Sequence, residues 1–141
     1  YWNMPDKTNS VVRDGWLHTG DMGVMDEEGY FTLLGRWSER IIIQGRVVFP
    51  RYMEEALLKH PAVHYSSVIA REDPTLGQIP LGIVELYPGQ SITPVELLKH
   101  CHAILGTENS PHEVLIIGQM PMTPTGKIGK QELIRLYGKP A

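Results

Sequence analysis

The sequence predicts an α+β fold, with helices over a small antiparallel or mixed sheet and a β-hairpin beside it. Three observations point there. The β-branched runs Ile41-Ile42-Ile43 and Val47-Val48-Phe49 flank Gly45, a hairpin pattern. Two segments with helical apolar spacing carry their own start and stop signals. The apolar runs between and after them are short enough for strands.

Residues 1–34 are rich in turn formers. Asp14-Gly15 and Glu28-Gly29 punctuate Trp16-Leu17-His18 and Tyr30 to Leu34, so two or three short strands joined by tight turns are expected. Gly35-Arg36 closes this segment and marks the expected boundary, giving residues 1–35 and 36–141. Pro50 suits the first position of a helix running from Arg51 to His60, with Met53, Ala56, Leu57 and Leu58 expected on its apolar face. Pro61 stops it. Val63 to Ala70 and Leu81 to Leu86 read as strands, separated by a polar loop containing Pro74 and Gly77. Thr93 is the expected N-cap of the second helix, which carries Leu97, Leu98 and Cys101 toward Leu105 and ends at Gly106. Val114 to Ile117 completes a three-stranded sheet, and Lys130 to Tyr137 forms a short terminal helix.

The composition bounds the function. The 141 residues are 42% hydrophobic and 21% charged, ordinary for a globular chain able to bury a core without metal or disulfide. A net charge of −3, with Lys and Arg scattered, gives no support for nucleic-acid binding. The single cysteine, Cys101, forbids an intrachain disulfide and fits a reducing compartment, so a cytoplasmic setting is expected. No apolar run approaches the ~20 residues of a membrane span. The opening Tyr1-Trp2-Asn3-Met4-Pro5 reads as a piece of something longer.

Three turn-borne groups carry the chemistry. His18-Thr19-Gly20-Asp21 offers a carboxylate that can accept hydrogen bonds from a vicinal diol, or else simply builds a hairpin turn. Gly35-Arg36 offers a guanidinium for phosphate, or a surface arginine near a linker. Pro121-Met122-Thr123-Pro124-Thr125-Gly126-Lys127-Ile128 holds a lysine at the tip of a stiffened turn, for a developing negative charge or for solvent. Together the acid, the arginine and the lysine form a kit for gripping a nucleotide.

These residues, with Asp14 to Asp21, Asp26 to Tyr30, Gly45 with Pro50, and His60-Pro61-Ala62-Val63, fall in the order and spacing of a known superfamily. The chain resembles the C-terminal portion of the AMP-forming adenylating enzymes: acyl-CoA synthetases, nonribosomal peptide adenylation domains and firefly-type luciferases. The resemblance implies two steps. A carboxylate attacks ATP to give an acyl-adenylate and pyrophosphate, and a thiol, usually of CoA, then displaces AMP. It also implies that residues 1–35 are the last strands of a large N-terminal domain. That domain would hold the phosphate loop, the acid pocket and most contacts to Mg2+. Residues 36–141 would be a mobile C-terminal domain, whose partners are its own large domain, a fatty or aryl acid and CoA.

By the same resemblance, Asp21 holds the ribose hydroxyls and Arg36 contacts the nucleotide at the domain junction. Ser38 stands at the hinge, where the family commonly has Asp or Lys, and a small serine can absorb a φ/ψ change. Lys127 reaches the reacting carboxylate and α-phosphate, presented by Thr125 and Gly126. Gly45 lies on the loop that lines the thiol tunnel after rotation, a role compatible with a hairpin glycine. Val47, Tyr52 and Glu108-Asn109 depart from the family pattern. Two other readings share these residues: an adenylation domain loading a carrier protein, and a non-catalytic interaction module with the same fold. Trp16 to Asp21 looks closer to the CoA ligases, and the presence of Asp21, Arg36 and Lys127 together opposes loss of the reaction. No metal site is expected, because His18, His60, His64, His102 and His112 lack a paired metal spacing. Ser66-Ser67 lacks a base, and Cys101 is expected in the core.

Overall fold

Turn chemistry organises the first 38 residues of the computed structural model, which describes residues 1–139. The chain divides into two units, Tyr1–Ser38 and a second beginning at Glu39. In the first, helix α1 (Pro5–Val11) leads into strands β1 (Val12–Arg13) and β2 (Trp16–Leu17), which form a minimal antiparallel pair across Asp14-Gly15. Strands β3 (Asp21–Met25) and β4 (Phe31–Arg36) pair antiparallel, with a bulge between Met22 and Gly23. Asp26 shapes the connection, its Oδ1 accepting from the backbone N–H of Glu28 and Tyr30 at 3.0 and 2.8 Å. No side chain of this unit is buried, and Trp2 and Trp16 are 91% and 76% exposed. The expected strands are present and α1 is additional. The division falls beyond Gly35, because β4 runs through Arg36 and a 3-10 turn over Trp37–Glu39 follows it.

The second unit carries its own core. Strands β5 (Ile41–Ile43) and β6 (Arg46–Val48) form the expected hairpin. Its turn residues Gln44 and Gly45 have φ of 47° and 84°, the mirror-image turn that matches strand twist. Helix α2 (Arg51–Leu58) buries Met53, Ala56 and Leu57, whereas Leu58 is 48% exposed. Leu58 follows Leu57 by about 100° on the helix, which carries it off the apolar face where the sequence placed it. Pro50 is the N-cap rather than the first helical residue, and the helix stops before His60 because Pro61 disfavours helical backbone there.

Strands β7 (Val63–Asp73) and β8 (Gly77–Leu86) form a long antiparallel pair, and β9 (Glu113–Ile117) lies parallel to β8, so the sheet is mixed with order β7-β8-β9. Both β7 and β8 exceed their apolar runs, since pairing continues to Asp73↔Gly77. Asp73 closes the turn by accepting from Thr75 and Leu76 N–H at 2.9 and 2.7 Å. Pro80 is tolerated in the central strand because the ladder to β9 starts one residue later, at Leu81↔Glu113. Helix α3 (Pro94–Leu105) connects β8 to β9 and opens with a full capping box, Thr93 and Glu96 each satisfying the other's backbone N–H. Helix α4 (Lys130–Tyr137) ends the fold.

Strand alternation sends side chains to both faces of the sheet. Val68 and Val84 join Ile41, Met53, Leu57 and Leu97 in one cluster beneath α2 and α3. Their neighbours Ile69 and Ile83 join Leu81, Met120 and Leu133 in a second, beneath α4. Cys101 is buried in the first cluster, as expected, and burial pushes its thiol up to about 11. Ser66 and Ser67 lie in β7. The Ser66 hydroxyl donates to the Glu54 carbonyl at 2.9 Å, and the buried Ser67 hydroxyl has no hydrogen-bond partner among the described residues.

Candidate functional site

In the first unit, register brings two of the expected residues together. Asp21 opens β3, Arg36 closes β4, and the two are direct partners across the pair. Arg36 Nε lies 2.8 Å from Asp21 Oδ1, and Arg36 Nη1 donates to the Thr19 carbonyl at 3.1 Å. The Trp37 N–H donates to the Gly20 carbonyl at 2.8 Å, and the Asp21 N–H to Thr19 Oγ1 at 3.2 Å. Both charged side chains remain partly open to solvent, at 57% for Arg36 and 34% for Asp21. The arrangement is a carboxylate with spare acceptor capacity beside a guanidinium with spare donors. Ser38 is exposed, within the 3-10 turn that ends this unit.

In the second unit, Lys127 rides a closed loop. Met122 and Ile128 bridge at its base, the Gly129 N–H donates to the Pro121 carbonyl at 2.7 Å, and the Thr123 N–H donates to the Lys127 carbonyl at 2.7 Å. The Thr123 carbonyl accepts from Gly126 N–H and its hydroxyl accepts from Lys127 N–H, at 2.9 and 3.1 Å. Thr123 and Thr125 hydroxyls lie 3.0 Å apart. Gly126 has φ of 76°, which a side-chain-bearing residue would adopt only with strain, so the tight reversal before Lys127 requires glycine. The loop backbone is thus fixed, while the Lys127 ammonium makes no ion pair among the described residues and lines a shallow depression with Glu39, Thr123 and Lys130.

Three residues on, Lys130 behaves oppositely. Its ammonium sits 2.5 Å from Glu39 Oε2 and 2.9 Å from Glu54 Oε1, with its side chain 22% exposed. Burial pulls its pKa down, but the two carboxylates outweigh that and hold it above the ordinary lysine value. The same Glu54 oxygen accepts the Val68 N–H at 2.9 Å, which ties the group to the sheet. Sequence reasoning missed this cluster. Its members lie on α4, α2 and the 3-10 turn over Trp37–Glu39, and no local spacing joins them.

Gly45 lies at the turn of the β5–β6 hairpin and does not line the Lys127 depression. Its turn is tied by the Gln44 N–H donating to the Leu76 carbonyl at 3.3 Å, and an added Cβ at Gly45 would meet open space. The adjoining Arg46 donates to the Glu108 carbonyl at 2.7 Å and lines a groove with Val47, Tyr52 and Ile104. That groove contains three of the residues that depart from the family pattern, Val47, Tyr52 and Asn109, and Arg46 binds the fourth, Glu108. His100 stacks edge-on with His60 at 5.1 Å between centroids. Among the described residues no group of three or more His, Cys, Asp or Glu side chains could hold a metal, and no helix is long and apolar enough to cross a membrane.

Comparison with known proteins decides the family. The model of the AMP-binding enzyme C-terminal domain matches residues 52–127, more than half of the chain. The chain belongs to the AMP-binding enzyme C-terminal domain family. Among its relatives, the 2-succinylbenzoate–CoA ligase of Bacillus mycoides is 35% identical over 136 residues, covering 96% of this chain and 28% of the relative. ATP-bound MatB from Rhodopseudomonas palustris superposes with a TM-score of 0.83 at 32% identity, over 98% of this chain and 28% of that one. The o-succinylbenzoate CoA synthetase of Bacillus subtilis, solved with the acyl-adenylate intermediate OSB-AMP, matches with a TM-score of 0.80 at 31% identity, over 88% and 25%. The chain therefore spans little more than a quarter of the length of these relatives. The α+β fold expected from the sequence is the fold of these enzymes' corresponding parts.

Proposed function

We propose that this chain is the C-terminal part of an AMP-forming carboxylic acid–CoA ligase. The observation that carries this reading is the contrast between two lysines: Lys130 is fully paired, while Lys127, on a rigid glycine-closed loop, keeps its charge available. A fixed backbone with an uncommitted ammonium suits a group that must meet charge formed only in the transition state. The names of the relatives, a CoA ligase and structures with ATP or an acyl-adenylate bound, accord with this.

In the reaction, the substrate carboxylate oxygen attacks the α-phosphorus of ATP and pyrophosphate leaves. The CoA thiol then attacks the acyl carbonyl and AMP leaves. Lys127 bridges the carboxylate and the α-phosphate during the first step. Asp21 accepts hydrogen bonds from the ribose hydroxyls, and Arg36 both orients Asp21 and contacts the nucleotide. Ser38 is the hinge, and Gly45 lines the thiol path after rotation. The strands before Ser38 belong to the large domain, which accords with their lack of any buried side chain. In this reading the Mg2+ that accompanies ATP is held mainly by the large domain. A cytoplasmic setting accords with the single, buried thiol.

The test is ATP–pyrophosphate exchange by the full-length enzyme over a panel of fatty and aryl acids, followed by AMP release with and without CoA. Exchange with CoA-dependent AMP release is expected. Exchange without CoA dependence would point to a carrier-protein acceptor, and no exchange with any acid would contradict the ligase reading.

A further inference from the structure

Lys130 is oddly placed for a merely structural lysine. It is the first residue of α4, where the helix dipole disfavours a cation, and it is largely buried. Removing an ammonium from water costs free energy that close carboxylates only repay, so a buried pair of this kind is a weak source of stability and a better device for fixing one arrangement. The arrangement fixed here is specific. Glu39 follows Ser38 directly and begins the second unit, 91 residues from Lys130 in sequence. Glu54 is itself immobilised, its Oε1 accepting the Val68 N–H and its carbonyl accepting the Ser66 hydroxyl. Lys130 also adjoins the base of the Lys127 loop, where Gly129 N–H meets the Pro121 carbonyl.

We propose that Lys130 is a positioning residue: by gripping Glu39 and Glu54 at once, it locks the base of the Lys127 loop to the first residue after the hinge. This rests on the adenylation role proposed for Lys127. A rotation about Ser38 delivers Lys127 in register only if the chain leaving the hinge and the loop bearing the lysine move as one piece. Glu39 and Glu54 are the two grips, and Lys130 joins them. Misplacement of a charged group by about 1 Å can cost ~100-fold in rate, so a small loosening of this joint is enough to matter.

The experiment uses the full-length enzyme with Lys130→Met, Lys130→Arg, Glu39→Gln, Lys127→Ala and the Lys127→Ala/Lys130→Met double variant. Lys130→Met is expected to lower kcat for pyrophosphate exchange by roughly 10–100-fold while KM for ATP and thioester formation from supplied acyl-adenylate stay within about twofold. Lys130→Arg should recover most of that loss, because guanidinium can bridge two carboxylates. The double variant should exchange no more slowly than Lys127→Ala alone, since Lys130 acts only through Lys127. If Lys130→Met does not fold, Glu39→Gln, which leaves the Glu54 contact, should show the same selective loss in smaller measure. Exchange by Lys130→Met near wild type, equal loss of both half-reactions, or an additive double variant would overturn the proposal. Failure of Lys127→Ala itself to impair exchange would overturn the adenylation reading and this inference with it, whereas a damaged Lys127→Ala beside an intact Lys130→Met would overturn this inference alone.

Discussion

Asp21 and Arg36 meet at 2.8 Å as direct register partners at the open end of the β3–β4 pair, so the strand pairing itself brings the expected ribose acid and the expected nucleotide arginine together. An exposed pair of this kind contributes at most about 1 kcal/mol to stability. Asp21→Asn and Arg36→Ala should therefore leave folding almost unchanged. A lost hydrogen bond to a charged group is worth about 1.5–3 kcal/mol, so each should raise KM for ATP roughly 10–100-fold in the full-length enzyme. Steady-state kinetics beside a thermal melt checks both halves, and an unchanged KM would remove these residues from the nucleotide site.

Ser38→Pro fixes φ in the turn proposed as the hinge. The expected outcome is a split between half-reactions: adenylate formation within about threefold of wild type and thioester formation reduced at least about tenfold. Rapid-quench measurement of each step separates them. Thioester formation at the wild-type rate would show that the pivot is not at Ser38.

Acidification should weaken the contact between α2 and α3. The His60 Nδ1 accepts the Ala62 N–H at 3.2 Å, and His100 approaches both His60 and the Ala56 carbonyl, the latter at 3.1 Å. Burial first, and the neighbouring His100 second, hold the His60 pKa below its ordinary value, with Glu96 opposing. A depressed folded-state pKa means that this stability is full above about pH 6.5 and is lost as pH falls below it, because the unfolded chain takes up the proton first. The melting temperature should drop between about pH 7.5 and 5.5, and less so in His100→Gln, which removes the second cause. Identical pH profiles for the two proteins would contradict the assignment.

Periodicity made most of the second unit legible. Met53, Ala56 and Leu57 repeat at helical spacing, Thr93 and Glu96 announce a helix start, and the β-branched runs on either side of Gly45 announce a hairpin. Where a pattern was missing, so was the element. Helix α1 buries nothing, so selection for an apolar face left no trace in Pro5–Val11. The far ends of β7 and β8 are held by ladder hydrogen bonds between residues such as Arg71 and Ile79, which no hydrophobic alternation marks. The same limit applies to the site. Asp21, Arg36 and Lys127 each directly follow a glycine in sequence and can be read locally, whereas the Glu39–Lys130–Glu54 cluster exists only once three distant segments have folded.

The measurement that bears most directly on the account is the pair of half-reactions in Lys127→Ala of the full-length enzyme. Loss of transition-state charge stabilisation by a fixed group typically costs about 100–1000-fold, so pyrophosphate exchange should fall by that order while thioester formation from supplied acyl-adenylate stays near wild type. Equal loss of both half-reactions, or exchange at the wild-type rate, would contradict it.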